Sequence, residues 1–455
     1  MNIILVISDT LRRDHLPCYG NLRVKSPNLD AFSQEAFVFD NCYAASFPTV
    51  PARADILTGR YTFTYLPWGP LPADEVTLAQ CLSRAGYMTT AISDNPFLIR
   101  NGYGYDRGFA DIQWMRGQRT GAELNDVLML RRSEENYFAP MTFKGASEWL
   151  ERHHREKFFL YVDTWDPHEP WDPPDYYVRP YYPEYKGEIV NPPYWDWREA
   201  GCTEKDLEIA HACYCGEITM VDRWFGILME RLRTLDLLSN TAIIFASDHG
   251  FYFGEHGQFG KRRFRWEGNL SIEDGFKKGL TLAQGYTYRS PLHQQVTRVP
   301  LLVYLPYGKK GRVSGLVSLP DLFPTILDIA KAPSPDRVQA HSFAPMLMAG
   351  LDEGQDFVVT SAPFDAVGDV SKTVDDKGRE TIEVSPSTIT DGIWDLLYAV
   401  HGGEIELYRT VEDPGHTKNV FAENRGVAEA LHAKFVAWLQ EMGTAPKFLD
   451  PRQTL

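Results

Sequence analysis

Short apolar runs recur along the chain, each bounded by polar residues or turn formers. Runs that are apolar throughout, rather than alternating, are typical of strands covered by helices on both faces. The runs that predict strands are Ile3 to Ile7, Ala36 to Phe39, Met88 to Ile92, Phe158 to Val162, Ala242 to Ala246 and Leu301 to Leu305.

Helical patterns lie between these runs. Pro27 suits the first position of a helix over Ser26 to Phe32, and Ile209 to Leu235 is a long amphipathic segment. The alternation predicts an α/β fold with a large, mainly parallel sheet sandwiched by helices. Ligands of such sheets bind beyond the carboxyl ends of the strands. We therefore expect Asp9 and Ser247-Asp248-His249, which each follow a predicted strand, to meet in one crevice.

Two long segments break this rhythm. Residues 169–197 are dense in Pro, Tyr and Trp, and residues 262–295 are polar and contain several glycines. Long irregular segments in compact enzymes form lids or pocket walls, or else oligomer contacts. The sequence favours neither.

The composition is that of a soluble enzyme. At 455 residues, with 44% hydrophobic and 24% charged residues, the chain predicts one large domain and a smaller one. The net charge of −15 argues against broad binding to nucleic acid or anionic membranes. A small anionic substrate stays compatible with it, since a metal and a few cations reverse the field locally.

The location is expected to be cytoplasmic. The first residues lack a basic region and match a buried strand better than a signal peptide, and no apolar stretch approaches a membrane span. The six cysteines show no framework spacing, and Cys213-Tyr214-Cys215 is too tight for an ordinary disulfide or zinc knuckle. We expect reduced thiols and leave a homo-oligomer open.

Four polar motifs carry the candidate chemistry. They are Ser8-Asp9-Thr10-Leu11-Arg12; Thr49-Val50-Pro51-Ala52-Arg53 with Thr58-Gly59-Arg60; Asp166-Pro167-His168-Glu169-Pro170; and Ser247-Asp248-His249-Gly250 with Gly254-Glu255-His256-Gly257 and Gly260-Lys261. Together they resemble the motifs of sulfatases and phosphonate monoester hydrolases in the alkaline phosphatase superfamily. The resemblance runs nearly end to end and implies an alkaline phosphatase-like fold.

The resemblance implies that Thr49 occupies the nucleophile position. Sulfatases have a Cys or Ser there, which is oxidised to formylglycine, and the hydrated aldehyde attacks the ester. A threonine is a secondary alcohol and is not a substrate for that oxidation, so we expect no formylglycine and attack by a plain hydroxyl. Arg53 is expected to pin the nucleophile, which is compatible with a buried ion pair.

A divalent ion is expected at Asp9, Thr49, Asp248 and His249, the positions that match the family's metal segments. An isolated Asp more often caps a loop or helix, but the flanking resemblance favours a ligand. Many sulfatases have two adjacent acids where this chain has Asp9-Thr10, and His249 adds a nitrogen donor. The set therefore suits Mn²⁺ or Zn²⁺ best, with Fe²⁺ or Ca²⁺ as further options.

His168 and Lys261 match family positions that contact the transferred group or the leaving oxygen. The alternatives are a loop histidine bonded to backbone and, for Lys261, a solvated basic run that continues to Arg265. Where sulfatases carry a Lys and a His that grip sulfate, this chain has Ser93 to Leu98. There Asn95 either bonds a substrate oxygen or forms a turn before Pro96.

The later segments resemble the family's small C-terminal subdomain, an antiparallel sheet with one helix, for which Ala428 to Leu439 has the pattern. The predicted domains are residues 1–355, catalytic, and 356–455, α+β.

The sequence thus predicts metal-dependent hydrolysis of a phosphate diester or phosphonate monoester by Thr49, through a phosphothreonine. The substrate is expected to be a small anionic ester. The alternatives are a sulfatase, a phosphotransferase or mutase, and an inactive binding module that keeps the fold.

Overall fold

The structure is a computed structural model of the whole chain. It describes all residues except 99–101, 116–132, 267–269, 272–273, 276–277, 279–284, 289, 307, 365–371, 375–379, 383–385 and 401–403.

The strands follow the predicted apolar runs closely, and several short strands join them. In chain order they are β1 (Asn2–Ser8), β2 (Phe37–Phe39), β3 (Cys42–Tyr43), β4 (Met88–Ser93), β5 (Asp111–Trp114), β6 (Phe158–Thr164), β7 (Trp195–Asp196), β8 (Thr241–Ala246), β9 (Tyr252–Phe253), β10 (Gln258–Gly260), β11 (Arg263–Trp266), β12 (Gly285–Tyr288), β13 (Arg298–Val299), β14 (Leu301–Tyr304), β15 (Gly311–Val313), β16 (Val317–Ser318), β17 (Val358–Thr360), β18 (Lys372–Val374), β19 (Glu380–Ile382), β20 (Ser387–Thr390), β21 (Trp394–Tyr398) and β22 (Glu406–Arg409).

The α-helices lie between the strands of the large sheet and at the end of the chain. They are α1 (Pro27–Ser33), α2 (Thr49–Thr58), α3 (Leu78–Arg84), α4 (Phe138–His153), α5 (Asp175–Val178), α6 (Glu204–Thr234), α7 (Gln294–Thr297), α8 (Leu322–Ala330), α9 (Ala344–Ala349), α10 (Arg425–Glu441) and α11 (Pro446–Leu449).

The large sheet has eight strands in the order β15-β2-β14-β8-β1-β6-β4-β5. The five strands from β8 to β5 are all parallel, and β14 runs antiparallel to both of its neighbours. Strands β1, β6 and β8 are buried along their whole length. The predicted mainly parallel sheet between helices is therefore confirmed, with one antiparallel strand that the apolar pattern did not indicate.

The two faces of this sheet support separate cores. The first packs α4 and α6 against one face, and the second packs α2, α3 and α8 against the other. Side chains of β1 alternate between them, since Ile4 and Val6 belong to the first core and Ile3, Leu5 and Ile7 to the second. This alternation is the period of a strand covered on both sides.

The predicted C-terminal sheet is also confirmed. Strands β17, β20, β21 and β22 form an antiparallel sheet, and α10 packs on it through Ala428, Leu431, Phe435 and Leu439. The predicted boundary near residue 355 lies just before β17 and stays a prediction.

The first irregular segment packs on the main core rather than standing apart. Trp171, Tyr181, Tyr185 and Trp197 are buried there. In the second irregular segment, β11 and β12 form an antiparallel pair, and several residues of the segment lie outside the described ranges.

The six cysteines, all within the described residues, form no disulfide. Among the described helices none has the length and apolar character needed to cross a membrane.

Candidate functional site

The carboxyl ends of three neighbouring parallel strands bring the candidate residues together. Asp9 directly follows β1, Asp248 is the second residue after β8, and Asp163 is the next-to-last residue of β6. Thr49 is the first residue of α2, which enters the same edge. Asp9, Thr49, Asp163 and Asp248 are all almost completely buried. Asp9 and Asp248, which were expected to meet, therefore lie together at the strand ends.

Arg53 is the electrostatic centre of the site. Its Nε and Nη2 donate to the two oxygens of Asp163 at 2.8 and 2.7 Å, and Nη1 donates to Asp248 Oδ2 at 2.6 Å. Nη1 also lies 2.9 Å from Asp9 Oδ2 and donates to the carbonyl of Thr49 at 3.1 Å. One buried guanidinium thus faces three buried carboxylates, and it also fixes the backbone of Thr49.

Asp163 was not assigned a role from the sequence. Its signal is a single acid within the otherwise uncharged, fully buried strand β6. A charge in such a strand is rarely left without a partner. Here the partner is Arg53, and the two-point contact sets the plane of the guanidinium.

Thr49 lies against His249. Its Oγ1 is 3.1 Å from His249 Nε2, while His249 Nδ1 is 3.0 Å from the carbonyl oxygen of Gly250. A carbonyl only accepts, so Nδ1 carries the proton and Nε2 presents a lone pair, into which the Thr49 hydroxyl donates. Burial, with Lys261 nearby, lowers the pKa of His249 to about 3, so the imidazole is neutral.

The ligand atoms of Asp9, Asp248 and His249 all lie within 4.8 Å of one another. Asp9 Oδ2 is buried and makes no hydrogen bond of acceptable geometry with any described residue, despite its closeness to Arg53. Burial, and then the neighbouring Asp248, raise the pKa of Asp9 well above its ordinary value. A divalent cation would give Asp9 Oδ2 a partner and would offset the repulsion between Asp9 and Asp248. These residues therefore fit the expected metal.

Thr10 takes the place of the second acid found in many sulfatases. Its backbone N–H donates to Asp248 Oδ1 at 2.9 Å, and its hydroxyl donates to Asp9 Oδ1 at 2.6 Å. This requires a φ of 63°, which is unusual for a β-branched residue. Thr10 therefore orients both candidate metal acids without adding a charge.

His168 and Lys261 form a pair beside Thr10. Lys261 Nζ lies 2.6 Å from His168 Nε2, 3.4 Å from Thr10 Oγ1 and 3.5 Å from Glu169 Oε1. His168 Nδ1 lies 2.5 Å from the carbonyl of Glu169, so Nδ1 carries the proton and Nε2 accepts from the ammonium. Burial and then Lys261 lower the pKa of His168 well below its ordinary value. In this arrangement Lys261, not His168, holds the proton that could be given to a leaving group.

Two arginines of the basic run, Arg263 and Arg265, contact residues other than Lys261 and His168. Arg263 donates to Gln258 Oε1, Arg265 donates to the carbonyl of Pro193, and both guanidiniums lie over the ring of Trp195. These contacts distinguish Lys261 from Arg263 and Arg265.

Asn95 follows β4 at the same edge of the sheet. Its Oδ1 accepts from the backbone N–H of Phe97 at 3.0 Å, so the predicted turn is present. Its Nδ2 is buried and has no hydrogen-bond partner among the described residues. The contact of Asn95 with a substrate oxygen stays a prediction, and Nδ2 is the atom that would make it.

Comparison with known proteins adds the family context. The family model described as Sulfatase matches residues 1–332. An arylsulfatase of Clostridium perfringens is 26% identical over 421 residues, covering 78% of this chain and 80% of that protein. An N-acetylglucosamine-6-O-sulfatase of Bacteroides thetaiotaomicron is 23% identical over 432 residues, covering 76% and 70%. The structure of the phosphonate monoester hydrolase of Agrobacterium radiobacter superposes with a TM-score of 0.72 at 20% identity, covering 97% of this chain and 96% of that one.

Proposed function

This chain belongs to the sulfatase family, and on that premise we propose that it is a metal-dependent hydrolase of phosphate diesters or phosphonate monoesters with Thr49 as nucleophile. Members of the family hydrolyse sulfate or phosphonate esters. The observation that carries the proposal for Thr49 is its buried hydroxyl, which lies 3.1 Å from Nε2 of His249, one of the candidate metal ligands.

The chemistry of an alcohol nucleophile favours phosphorus over sulfur. A formylglycine releases sulfate by breakdown of a hemiacetal, whereas a sulfated threonine would be an inert alkyl sulfate. A phosphorylated threonine stays open to attack at phosphorus, given positive charge to stabilise the transition state. Thr49 therefore supports turnover of a phosphoryl or phosphonyl ester and gives no comparable route for sulfate.

Asp9, Asp248, His249 and Thr49 would hold the divalent ion, for which Mn²⁺ or Zn²⁺ is the proposed choice. The ion would supply positive charge beside the attacking oxygen and the phosphoryl oxygens. The lone pair of His249 Nε2 serves either the Thr49 hydroxyl or an ion, so metal loading frees the hydroxyl from that hydrogen bond.

The reaction then follows from the chain's own groups. Thr49 Oγ1 loses its proton to solvent and attacks phosphorus in line, the ester P–O bond breaks, and the leaving oxygen takes a proton from Lys261 Nζ. Water then attacks phosphorus, the Lys261 amine takes a proton from that water, and the P–O bond to Thr49 breaks. Thr49 Oγ1 regains a proton from solvent, which restores both groups. His168 Nε2 accepts from Lys261 Nζ and so directs the ammonium. Arg53 keeps Thr49 in place through the contact with its carbonyl.

The second candidate is hydrolysis of sulfate esters. The observation in its favour is that the matched relatives from Clostridium perfringens and Bacteroides thetaiotaomicron are named sulfatases. A binding module without activity is less well supported, because the nucleophile, its arginine, the acids and the Lys261–His168 pair lie together in one site.

The deciding experiment compares four p-nitrophenyl esters: a sulfate, a phosphate monoester, a phosphate diester and a phenylphosphonate. We expect the diester and the phosphonate to be turned over fastest. Quenched reactions should carry one phosphoryl or phosphonyl group on the peptide that contains Thr49. Thr49→Ala, purified in parallel, controls for contaminating phosphatases. Faster hydrolysis of the sulfate by the parent protein would overturn the proposal in favour of the second candidate.

A further inference from the structure

A second group of metal-ligating side chains lies at the other end of the segment that begins with Asp9. His15 ends a short 3-10 turn over Arg13–His15, and His211 and Cys215 lie one turn apart on α6. One ligand atom from each of the three lies within 4.8 Å of the others. His15 and Cys215 are buried, and His211 is partly exposed. None of them takes part in the proposed reaction.

The three side chains form a directed chain of contacts. His15 Nδ1 lies 2.8 Å from Asp14 Oδ1, so Nδ1 carries the proton and Nε2 presents a lone pair. That Nε2 lies 2.8 Å from His211 Nε2. Cys215 Sγ lies 3.8 and 3.9 Å from the two ring nitrogens of His211. Two imidazole nitrogens and one sulfur are therefore gathered in one small cluster.

We propose that His15, His211 and Cys215 bind a Zn²⁺ ion. Nitrogen and sulfur ligands are those that zinc prefers, and two residues spaced i and i+4 on a helix face the same way. Two nitrogens on one tetrahedral ion lie about 3.3 Å apart, and a nitrogen and a sulfur about 3.6 Å apart, given the usual bond lengths. The observed 2.8 Å between the two nitrogens and 3.9 Å between His211 Nε2 and Cys215 Sγ each differ from these values by about half an ångström or less.

Asp14 supplies the outer contact that such a site needs. A carboxylate that accepts from the far nitrogen of a histidine ligand fixes its tautomer and its ring orientation. Asp14 does this for His15, and Arg12 holds Asp14 in turn through two hydrogen bonds of 2.9 and 2.6 Å. The lone pair of His15 is thus aimed before any ion arrives.

Binding of one Zn²⁺ ion at this site would release one proton. Without the ion, His211 Nε2–H donates to His15 Nε2, and the Cys215 thiol keeps its proton because burial raises its pKa to about 12. On binding, the proton of His211 moves to Nδ1 and the thiol gives its proton to solvent. One proton therefore leaves per Zn²⁺ bound, and the fourth tetrahedral position is left for water.

The ion would join the segment after β1 to α6. That segment is already tied to the helix by Tyr214, whose hydroxyl donates to the carbonyl of Thr10 at 2.7 Å and accepts from the N–H of Arg12 at 2.8 Å. A zinc at His15 adds a second tie at the far end of the same segment. Its role is therefore to stabilise the loop that carries Asp9.

Cobalt(II) provides the test, because only a thiolate ligand gives a sulfur-to-metal charge-transfer band in the near ultraviolet. The other candidate metal site offers oxygen and nitrogen alone, so the band reports on Cys215 whatever the enzyme hydrolyses. We expect the metal-free parent protein to show the band on addition of Co²⁺, and Zn²⁺ to abolish it. Asp248→Asn should keep the band, which separates this site from the other.

Cys215→Ala should lose the band, and Cys213→Ala should keep it, since Cys213 is equally buried on the same helix but lies on another face. Asp14→Ala should weaken Co²⁺ binding by about 10- to 100-fold. If Cys215→Ala does not fold, His211→Gln replaces it and should lose most of the band. Absence of the band in the parent protein, or its persistence in Cys215→Ala, would overturn the proposal.

Discussion

Replacing Arg53 by methionine should make the protein bind its divalent metal more tightly while it loses activity. Methionine is close to arginine in length and carries no charge or hydrogen-bond donor. Arg53 Nη1 lies between two proposed metal ligands, 2.9 Å from Asp9 Oδ2 and 2.6 Å from Asp248 Oδ2. Arg53 therefore neutralises the same oxygens that a cation would use.

The magnitudes follow from burial and distance. Removing one partner of a buried ion pair costs about 3–5 kcal/mol. Three carboxylates lose their cationic partner in Arg53→Met, so the free energy of unfolding without metal should fall by at least this amount. Two unit charges 4 Å apart interact by about 4 kcal/mol at an effective dielectric of 20. The charge of Arg53 repels a bound cation, and Arg53→Met removes this repulsion. A gain of only about a third of this energy corresponds to a tenfold lower Kd. We therefore expect Mn²⁺ to bind at least about tenfold more tightly.

The assay is calorimetric titration of the metal-free proteins with Mn²⁺, with urea unfolding in a chelator beside it. Turnover should fall by roughly 100-fold or more, because Thr49 loses the contact that positions it. Arg298→Met is the matched control, since this partly buried arginine contacts Asp40, Asn41 and Gln294 instead. Its Kd for Mn²⁺ should equal that of the parent protein.

Equal or weaker Mn²⁺ binding in Arg53→Met would refute the reasoning, because it would mean that Arg53 supports the ion rather than competing with it. If the variant does not fold without metal, Arg53→Lys serves in its place. It keeps the charge and should keep the parent Kd, but it cannot hold Asp163 at two points.

Three further predictions test the groups around Thr49. Thr49→Ser should keep measurable diesterase activity and Thr49→Ala should lose nearly all of it, as followed by p-nitrophenol release; an active Ala variant would mean that water attacks directly. Lys261→Met should slow hydrolysis of an ester with a poor leaving group by about 10²- to 10⁴-fold and that of the p-nitrophenyl ester far less. The control Arg263→Met should slow hydrolysis of neither ester. Equal slowing of both esters by Lys261→Met would exclude proton donation by Lys261. Burial lowers the pKa of His249 to about 3, so the stability that neutral His249 contributes is complete above pH 6.5 and is lost as the pH falls toward 3. The urea midpoint of metal-free His249→Gln should therefore vary less with pH over this window than that of the parent protein. Equal pH dependence of the two midpoints would contradict the assignment.

The sequence was most informative where a residue's surroundings are local. The apolar runs predicted six of the eight strands of the large sheet within a residue or two, because a strand covered on both faces needs such a run. The two edge strands, β5 and β15, were not predicted. Their directions are not encoded in the same way, and β14 turned out antiparallel to β8 and β2. Direction depends on how the chain returns to the sheet, which no short window contains.

In the candidate site, too, the sequence revealed what local motifs encode and missed what depends on distant residues. Asp9, Thr49, Arg53 and Asp248 were found through motifs, and the structure brings them together, although their roles stay predictions. Asp163 and Thr10 were missed, because a partner 110 residues away and a backbone φ of 63° leave no local pattern. The group of His15, His211 and Cys215 was missed for the same reason, since His15 and His211 are 196 residues apart.

The arrangement of the acids has a consequence for the order of events in folding. Thr10 and Asp248 are bonded across 238 residues, so the site closes only after β1 and β8 have paired. Contacts of such long sequence separation form late and slowly, since the loop between them must be closed first. Metal should therefore leave the refolding rate almost unchanged and act by slowing unfolding. A newly made chain would accordingly capture its ion as the last step of maturation, not as a template for it.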